Sequence, residues 1–352
     1  MSYLKNPRAS AGGFFISALL LCLIHCGGSL NLKSDQSYDS SPSIDEPETI
    51  SGILTIIAID VGQGDATLLI TPSGQTILID GGGIEDGIED ILPLFSHLGV
   101  THLDYLFVSH YDADHIGGIY EVVAGNDGEL ETKDDILPSI TYDNSGTPSD
   151  ASVVFDHYAT AVASSRQTLL PGDEIDIGDG VVIDCLINNG VTADGRSLPV
   201  EDDDNGASMG LLITYGDFQY FTAGDLPGGG QSGAETTVDA EGLVAPLVGE
   251  VDLLHVNHHG SKTSSSEYFL ETLRPTISII SVGDNNTYGH PHSEVLSRLS
   301  AIGTEIYQTE AGAGGLLPEA HIIDDSIFIY VEANGGYTVN GDPYESKRSN
   351  SN

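Results

Sequence analysis

Between Ser109 and Gly118 the chain reads Ser-His-Tyr-Asp-Ala-Asp-His-Ile-Gly-Gly, with two imidazoles and two carboxylates in six residues directly after the apolar run Leu103 to Val108. A chain leaving a buried strand in this way presents all four side chains from one loop at the end of a sheet, where α/β crevices take their ligands. Neutral imidazole and carboxylate are ligands of zinc and manganese, and a mixed N/O set without thiolate points away from iron–sulfur and structural zinc sites. Such a motif constrains the whole fold, because further ligands of the same kind must be delivered to the same edge. An acid-rich chain also throws up Asp-x-Asp near His by chance, so the rest of the sequence has to decide.

The later sequence supplies the partners. Asp80 follows the strand-like run Gln75 to Ile79 and precedes three glycines, Asp225 follows Phe218 to Thr222, and His258-His259 follow Val251 to Val256. His290 and His292 follow Thr276 to Val282 in the same way. Further strands are expected at Ile53 to Asp60, Ala66 to Thr71, Gly210 to Tyr215, twice within Thr168 to Ile187, and at Glu305 to Thr309, Gly315 to Leu317 and Ser326 to Val331. Helical spacing marks Glu85 to Leu98, Ser152 to Ser164, Glu241 to Val248 and Tyr268 to Leu273, and Ser293 is expected to cap a last helix to Ser300. Strands alternating with helices and returning polar residues to one edge describe an α/β scaffold. The expected folded domain is 51–340, and 341–352 reads as a disordered tail.

The start of the chain has a different character. Lys5 and Arg8, the apolar stretch Phe14 to Ile24 and small residues after it form an export signal over 1–28, too short to span a bilayer. Leu23-Ile24-His25-Cys26-Gly27-Gly28 resembles a bacterial lipobox, although His25 departs from the small residue usual there. The expectation is an exported protein, secreted or lipid-anchored to the cell envelope through Cys26. Residues 29–50, rich in Ser, Asp and Pro, read as a flexible tether. Cys22 and Cys26 belong to the leader, which leaves Cys185 alone in an apolar run as a small buried hydrophobe.

Charge limits the partners. With 53 acidic and 11 basic residues the net charge is −42, so the surface repels polyanions at long range and attracts cations, and tight unspecific nucleic-acid binding is not expected. The loop 126–135, with Asp127, Asp134 and Asp135 among glycine and asparagine, has the composition of a calcium loop but not the spacing of an EF-hand. Bound calcium and a solvated insertion are the two readings of it.

At this point the chain resembles the metallo-β-lactamase-fold hydrolases, and more narrowly the soluble metallo-β-lactamase-like domain of the DNA-uptake channel protein ComEC. The matches are Val61-Gly-Gln-Gly-Asp65, Ile79-Asp-Gly-Gly82, Ser109 to Gly118, Asn205-x-x-Ser208, Ala223-Gly-Asp225, His258-His-Gly-Ser-Lys262 and Tyr288-Gly-His-Pro291. The resemblance implies a four-layer αβ/βα sandwich with a two-metal site in the cleft between its sheets. It implies His110 and Asp112 as ligands of one ion and Asp114 and His115 as ligands of the other. Asp225 would bridge, with His258 or His259 as the late histidine ligand. The family's widest motif has His at the place of Asp112 and another His near Asn205 to Ser208. Both departures leave the first position poorer in nitrogen, which favours manganese and keeps zinc open.

Two divalent ions a few ångströms apart bring a bridging water to hydroxide near neutrality and polarise a phosphoryl or carbonyl oxygen. Asp114 and His259 are candidates for the catalytic set. Lys262 with Ser261 could hold a phosphate oxygen, or Lys262 is an ordinary surface lysine. Asn205 and Ser208 are further substrate-side candidates. His290 and His292 either donate a proton or contact phosphate, or form only a Pro-flanked turn. The leading reading is an exported phosphodiesterase or nuclease acting on a phosphodiester or other small anionic substrate. A lactone, ester or amide hydrolase and a non-catalytic metal-binding surface protein are the alternatives.

Overall fold

Leu54, Ile56 and Ala58 pack on one side of the strand Ile53–Ala58 and Ile57 on the other, and all four are buried because both faces of their sheet are covered. The computed structural model describes residues 52–349 apart from 145, 147, 149–151, 201–203, 233–234 and 316. The leader 1–28 with Cys26 and the tether 29–50 lie outside the described residues.

The first sheet has nine strands in the order Asp342–Glu345, Gly336–Val339, Ile327–Glu332, Ile53–Ala58, Thr67–Ile70, Thr76–Ile79, Leu103–Phe107, Pro138–Asp143, Arg166–Thr168. The second runs His321–Ile322, Glu305–Gln308, Ile277–Ile280, Leu253–His255, Phe218–Thr222, Gly210–Tyr215, Val181–Asn188, Glu174–Gly178, with Val191–Thr192 also paired to Val181–Asn188. Inner faces meet in one core, where Ile56, Ile77 and Phe107 share a cluster with Ile213, Tyr220 and Ile279. Outer faces are covered by helices: Phe95, Ile119 and Tyr158 lie over the first sheet, and Val244, Phe269 and Leu296 over the second. This is the expected four-layer αβ/βα sandwich. Each sheet contains a parallel block, from Thr76–Ile79 to Arg166–Thr168 in the first and from Phe218–Thr222 to His321–Ile322 in the second.

Several local expectations are corrected. The expected disordered tail 341–352 contains a strand, because Asp342–Glu345 pairs antiparallel with Gly336–Val339 and Tyr344 hydrogen-bonds Tyr307. The region Glu85 to Leu98 forms a π-turn Gly87–Ile91 before the α-helix Leu92–Leu98. Ser293 is the first helical residue of Ser293–Ile302, and the cap position belongs to His292. Among the described residues Gly315 and Leu317 carry no strand, and the second sheet closes with His321–Ile322. Among the described residues no helix is long and apolar enough to cross a membrane.

Candidate metal centre

The C-terminal ends of the central strands converge. Gly224 stands between the last residues of Phe218–Thr222 and Asp225 with φ +49°, and a Cβ there would lie 2.4 Å from Ser109 Oγ and 3.3 Å from His110 Nδ1. Only glycine lets that chain lie against the Ser109 loop. Asp80 (φ 57°), His258 (φ 53°) and His259 (φ 51°) also adopt the left-handed conformation, uncommon for residues with a Cβ. His259 and Asp225 from the second sheet are thereby set against Asp114 and His115 from the first, with His259 Nε2 3.5 Å from Asp114 Oδ2 and His115 Nε2 3.1 Å from Asp225 Oδ1.

Backing groups fix which nitrogen each imidazole offers. His259 Nδ1 lies 3.1 Å from the Ser281 carbonyl, which can only accept, so Nδ1 carries the proton and Nε2 the lone pair. His115 Nδ1 lies 2.9 Å from Asp80 Oδ2 with the same result. Ser109 Oγ spends its proton on Asp80 Oδ2 at 2.6 Å and therefore accepts from His110 Nδ1 at 3.0 Å. In the neutral form that a metal requires, all three present an Nε2 lone pair to the cleft.

Those three atoms and Asp225 Oδ1 are buried without any hydrogen-bond partner. Four orphaned acceptors converging from both sheets would be costly in a site built for nothing, and they fit divalent cations. Three groups of ligand atoms each lie within 4.8 Å of one another, His110–His115–Asp225, Asp114–His115–His259 and Asp65–Asp80–His115. Asp225 faces both ways. Its Oδ1 lies 3.1 Å from His115 Nε2 and 3.6 Å from His259 Nε2, and its Oδ2 lies 4.0 Å from His110 Nε2 and 3.4 Å from His258 Nε2. Asp112, with its side chain 43% exposed, stands 3.5 Å from His110 Nε2. Burial alone would push the Asp225 carboxyl up, but the imidazoles of His258, His115 and His259 hold it well below the usual carboxylate range. Burial likewise opposes charge on His115 and His259, and their facing carboxylates outweigh it and raise both.

Around this centre, Ser208 is fully buried with an unpartnered Oγ, and it closes a turn on Asn205 that the Met209–Ser109 backbone bond seats beside the motif. His290 is buried beside His258 and His259, with ring centroids 5.4 and 6.1 Å away and Nδ1 unpartnered. Burial and the neighbouring His259 push its pKa down to about 3. His292 accepts from the Lys262 backbone N–H, and the Lys262 residue is exposed. The Ser261 hydroxyl is buried within the turn, 2.9 Å from Thr263 Oγ1.

The 126–135 loop is held by its own hydrogen bonds. The carboxylates of Asp127, Asp134 and Asp135 accept from local donors (Glu129 N, Asp127 N, Glu131 N, Thr132 N and Thr132 Oγ1). Their atoms form none of the converging ligand sets among the described residues. Sequence reasoning also left Asp65 and His255 without roles. Asp65 Oδ1 lies 3.4 Å from His259 Nδ1 and 3.6 Å from His255 Nε2, behind the late histidine. Its signal was present in the Gly62-Gln-Gly-Asp65 turn, where Gly64 passes against the Asp114 carbonyl.

Comparison with known proteins gives the same direction. A family model described as the metallo-beta-lactamase superfamily matches residues 59–284. The chain is 27% identical over 270 residues to ComE operon protein 3 of Bacillus subtilis, covering 72% of this chain and 31% of that protein. It is 32% identical over 246 residues to Recombination protein 2 of Haemophilus influenzae, covering 68% and 26% respectively. Competence protein ComA of Neisseria gonorrhoeae is 28% identical over 253 residues, covering 71% and 30%. The matched region thus spans less than a third of each of these relatives.

Proposed function

The chain belongs to the metallo-beta-lactamase superfamily, and from that premise we propose that it is an exported, two-metal phosphodiesterase or nuclease. The observation that carries the two-metal reading is Asp225, whose two buried oxygens face different pairs of imidazoles. The names of its relatives, a recombination protein and a competence protein among them, support a nucleic-acid phosphodiester over other bonds. Divalent ions in such a site supply, when bound, an acidified water and a Lewis acid for the phosphoryl oxygen.

The chain's own residues do the rest. Asp80, the Ser281 carbonyl and Ser109 hold three imidazoles in the tautomer that presents Nε2. His290, neutral at pH 7 because its pKa is pushed to about 3, offers a hydrogen bond to a phosphate or leaving-group oxygen and is no acid in its charged form. Accepting at Nδ1, His292 carries its proton on Nε2 and makes a second donor on the same rim. The Lys262 ammonium places positive charge beside them, the partner that an anionic substrate needs on a chain of net charge −42. Asp114 stays ionised: burial raises its carboxyl, but His259 and His115 bring it below the ordinary value.

A screen with bis-p-nitrophenyl phosphate, single-stranded DNA and a lactone, each with manganese or zinc, tests the reading. Turnover of the two phosphodiesters is expected. Hydrolysis of the lactone alone, or of nothing with metal bound, overturns it. Export predicts a mature chain lacking at least the first two dozen residues; an intact Met1 on secreted or envelope protein overturns that part, and a diacylglyceryl mass on Cys26 would establish the lipid anchor.

A further inference from the structure

The turn that carries His258, His259 and Lys262 closes partly on itself, with Ser261 N donating to the His258 carbonyl at 2.7 Å and Ser264 Oγ to the Asn257 carbonyl at 2.7 Å. Two consecutive residues sit in the left-handed region, and its backbone carries one short 3-10 segment, Asn257–Gly260. One buried acid also ties its two ends together from outside. Glu241, in the first turn of the helix Ala240–Val248, is fully buried. Its Oε1 accepts from Asn257 Nδ2 at 2.8 Å and from Ser265 N at 2.6 Å, and its Oε2 accepts from Ser266 N at 2.7 Å. One carboxylate thus fastens the residue before His258 to the two residues that end the turn.

The surroundings fit that reading. Gly228 approaches so closely that a Cβ would lie 2.2 Å from Glu241 Oε2, and one at Gly230 would lie 2.6 Å from Thr263 Cα. Gly228 N also donates to the Thr263 carbonyl at 2.7 Å. The glycine run 228–230 is therefore a flat lid over the same turn. From the helix Ser293–Ile302, Arg298 donates to the Ser265 and Ser264 carbonyls at 2.7 and 2.9 Å.

We propose that Glu241 is the positioning residue of the metal centre's second-sheet half, setting His258 and His259 by closing the Asn257–Ser266 turn upon its carboxylate. The inference rests on the metal-binding part of the proposed function and is independent of the substrate. All three partners of Glu241 are donors, so an isosteric amide cannot serve them: Glu241→Gln must turn its NH2 against Ser265 N, Asn257 Nδ2 or Ser266 N. Groups that orient metal ligands from behind typically change affinity by about 10- to 100-fold when altered.

The test measures zinc and manganese affinity of the full chain by competition with a chelating dye, alongside the melting temperature of the metal-free protein. Leu54→Ala, in the inter-sheet core, serves as a control of comparable instability. Glu241→Gln is expected to weaken the metal by about tenfold or more, and excess metal to restore turnover, while Leu54→Ala binds as the parent does. If Glu241→Gln does not fold, Asn257→Ala, which removes one of the three bonds, is expected to shift affinity in the same direction. Affinity within about twofold of the parent, or an equal loss in Leu54→Ala, overturns the assignment. A parent chain that binds neither metal refutes the metal centre itself, a different failure from parent-like binding by the variant.

Discussion

Replacing Asp225 by alanine tests the two-metal arrangement most directly. Its carboxylate is 2% exposed and stands within 4.0 Å of four imidazoles, a concentration of partners no other acid in the site matches. At 4 Å and an effective dielectric near 20, one unit-charge interaction is worth roughly 4 kcal/mol. Losing even one such interaction from the transition state corresponds to about a thousandfold in rate. Asp225→Asn keeps the shape but loses the charge, and its NH2 offers no lone pair to a cation, so it should fall nearly as far. Asp112, half-exposed and near His110 alone at 3.5 Å, should cost only about tenfold and be rescued by high manganese. The assay is kcat/KM on bis-p-nitrophenyl phosphate with metal content measured on the same sample. Asp225→Ala within about tenfold of the parent, with two ions still bound per chain, would refute the reasoning.

Other outcomes follow from the same geometry. Gly224→Ala should destabilise by about 3 kcal/mol in urea unfolding, since its methyl would meet Ser109 Oγ, whereas Gly74→Ala, at φ +88° in open space, should cost about 1. Ser109→Ala removes the hydroxyl between Asp80 and His110 and should weaken metal binding by about 10- to 100-fold in dye competition. The metal-free protein should lose stability as pH rises. His115 and His259 are raised well above 6.5 in the folded chain, so their contribution is complete below the unfolded value of 6.5 and is lost as pH climbs through the folded one. Metal binding needs the same imidazoles neutral, so melting scans from pH 6 to 9 should fall without metal and hold or rise with it; identical slopes would contradict this.

The ligand-bearing strand ends were legible because a polar cluster directly after an apolar run marks where a buried strand leaves its sheet. The hairpin Gly210–Tyr215 and Phe218–Thr222 was readable to the residue for the same reason. Pro138–Asp143 and Arg166–Thr168 were not, since their buried polar groups pair with partners distant in sequence: Asp143 with Tyr158 and Arg166, and Thr141 with Ser165. Glu241 reads in sequence as an ordinary acid in the first turn of a helix, and its three donors come from residues 16 to 25 positions away. His255 hides in an apolar run, where hydropathy cannot distinguish a core histidine from one placed behind a metal ligand. Asp342–Glu345 has no apolar alternation and is a strand only because the ladder to Gly336–Val339 makes it one.

That last strand also bears on how the protein avoids its own kind. Among the described residues it forms the outer margin of the first sheet, where unpaired backbone groups would invite a neighbouring chain to extend the ladder. Pro343 has no N–H to offer such a neighbour, and it is flanked by exposed Asp342 and, two residues on, Glu345. The far margin is the three-residue Arg166–Thr168, too short to template much pairing. Both margins act the same way, since a sheet that cannot be continued is one that does not seed fibres.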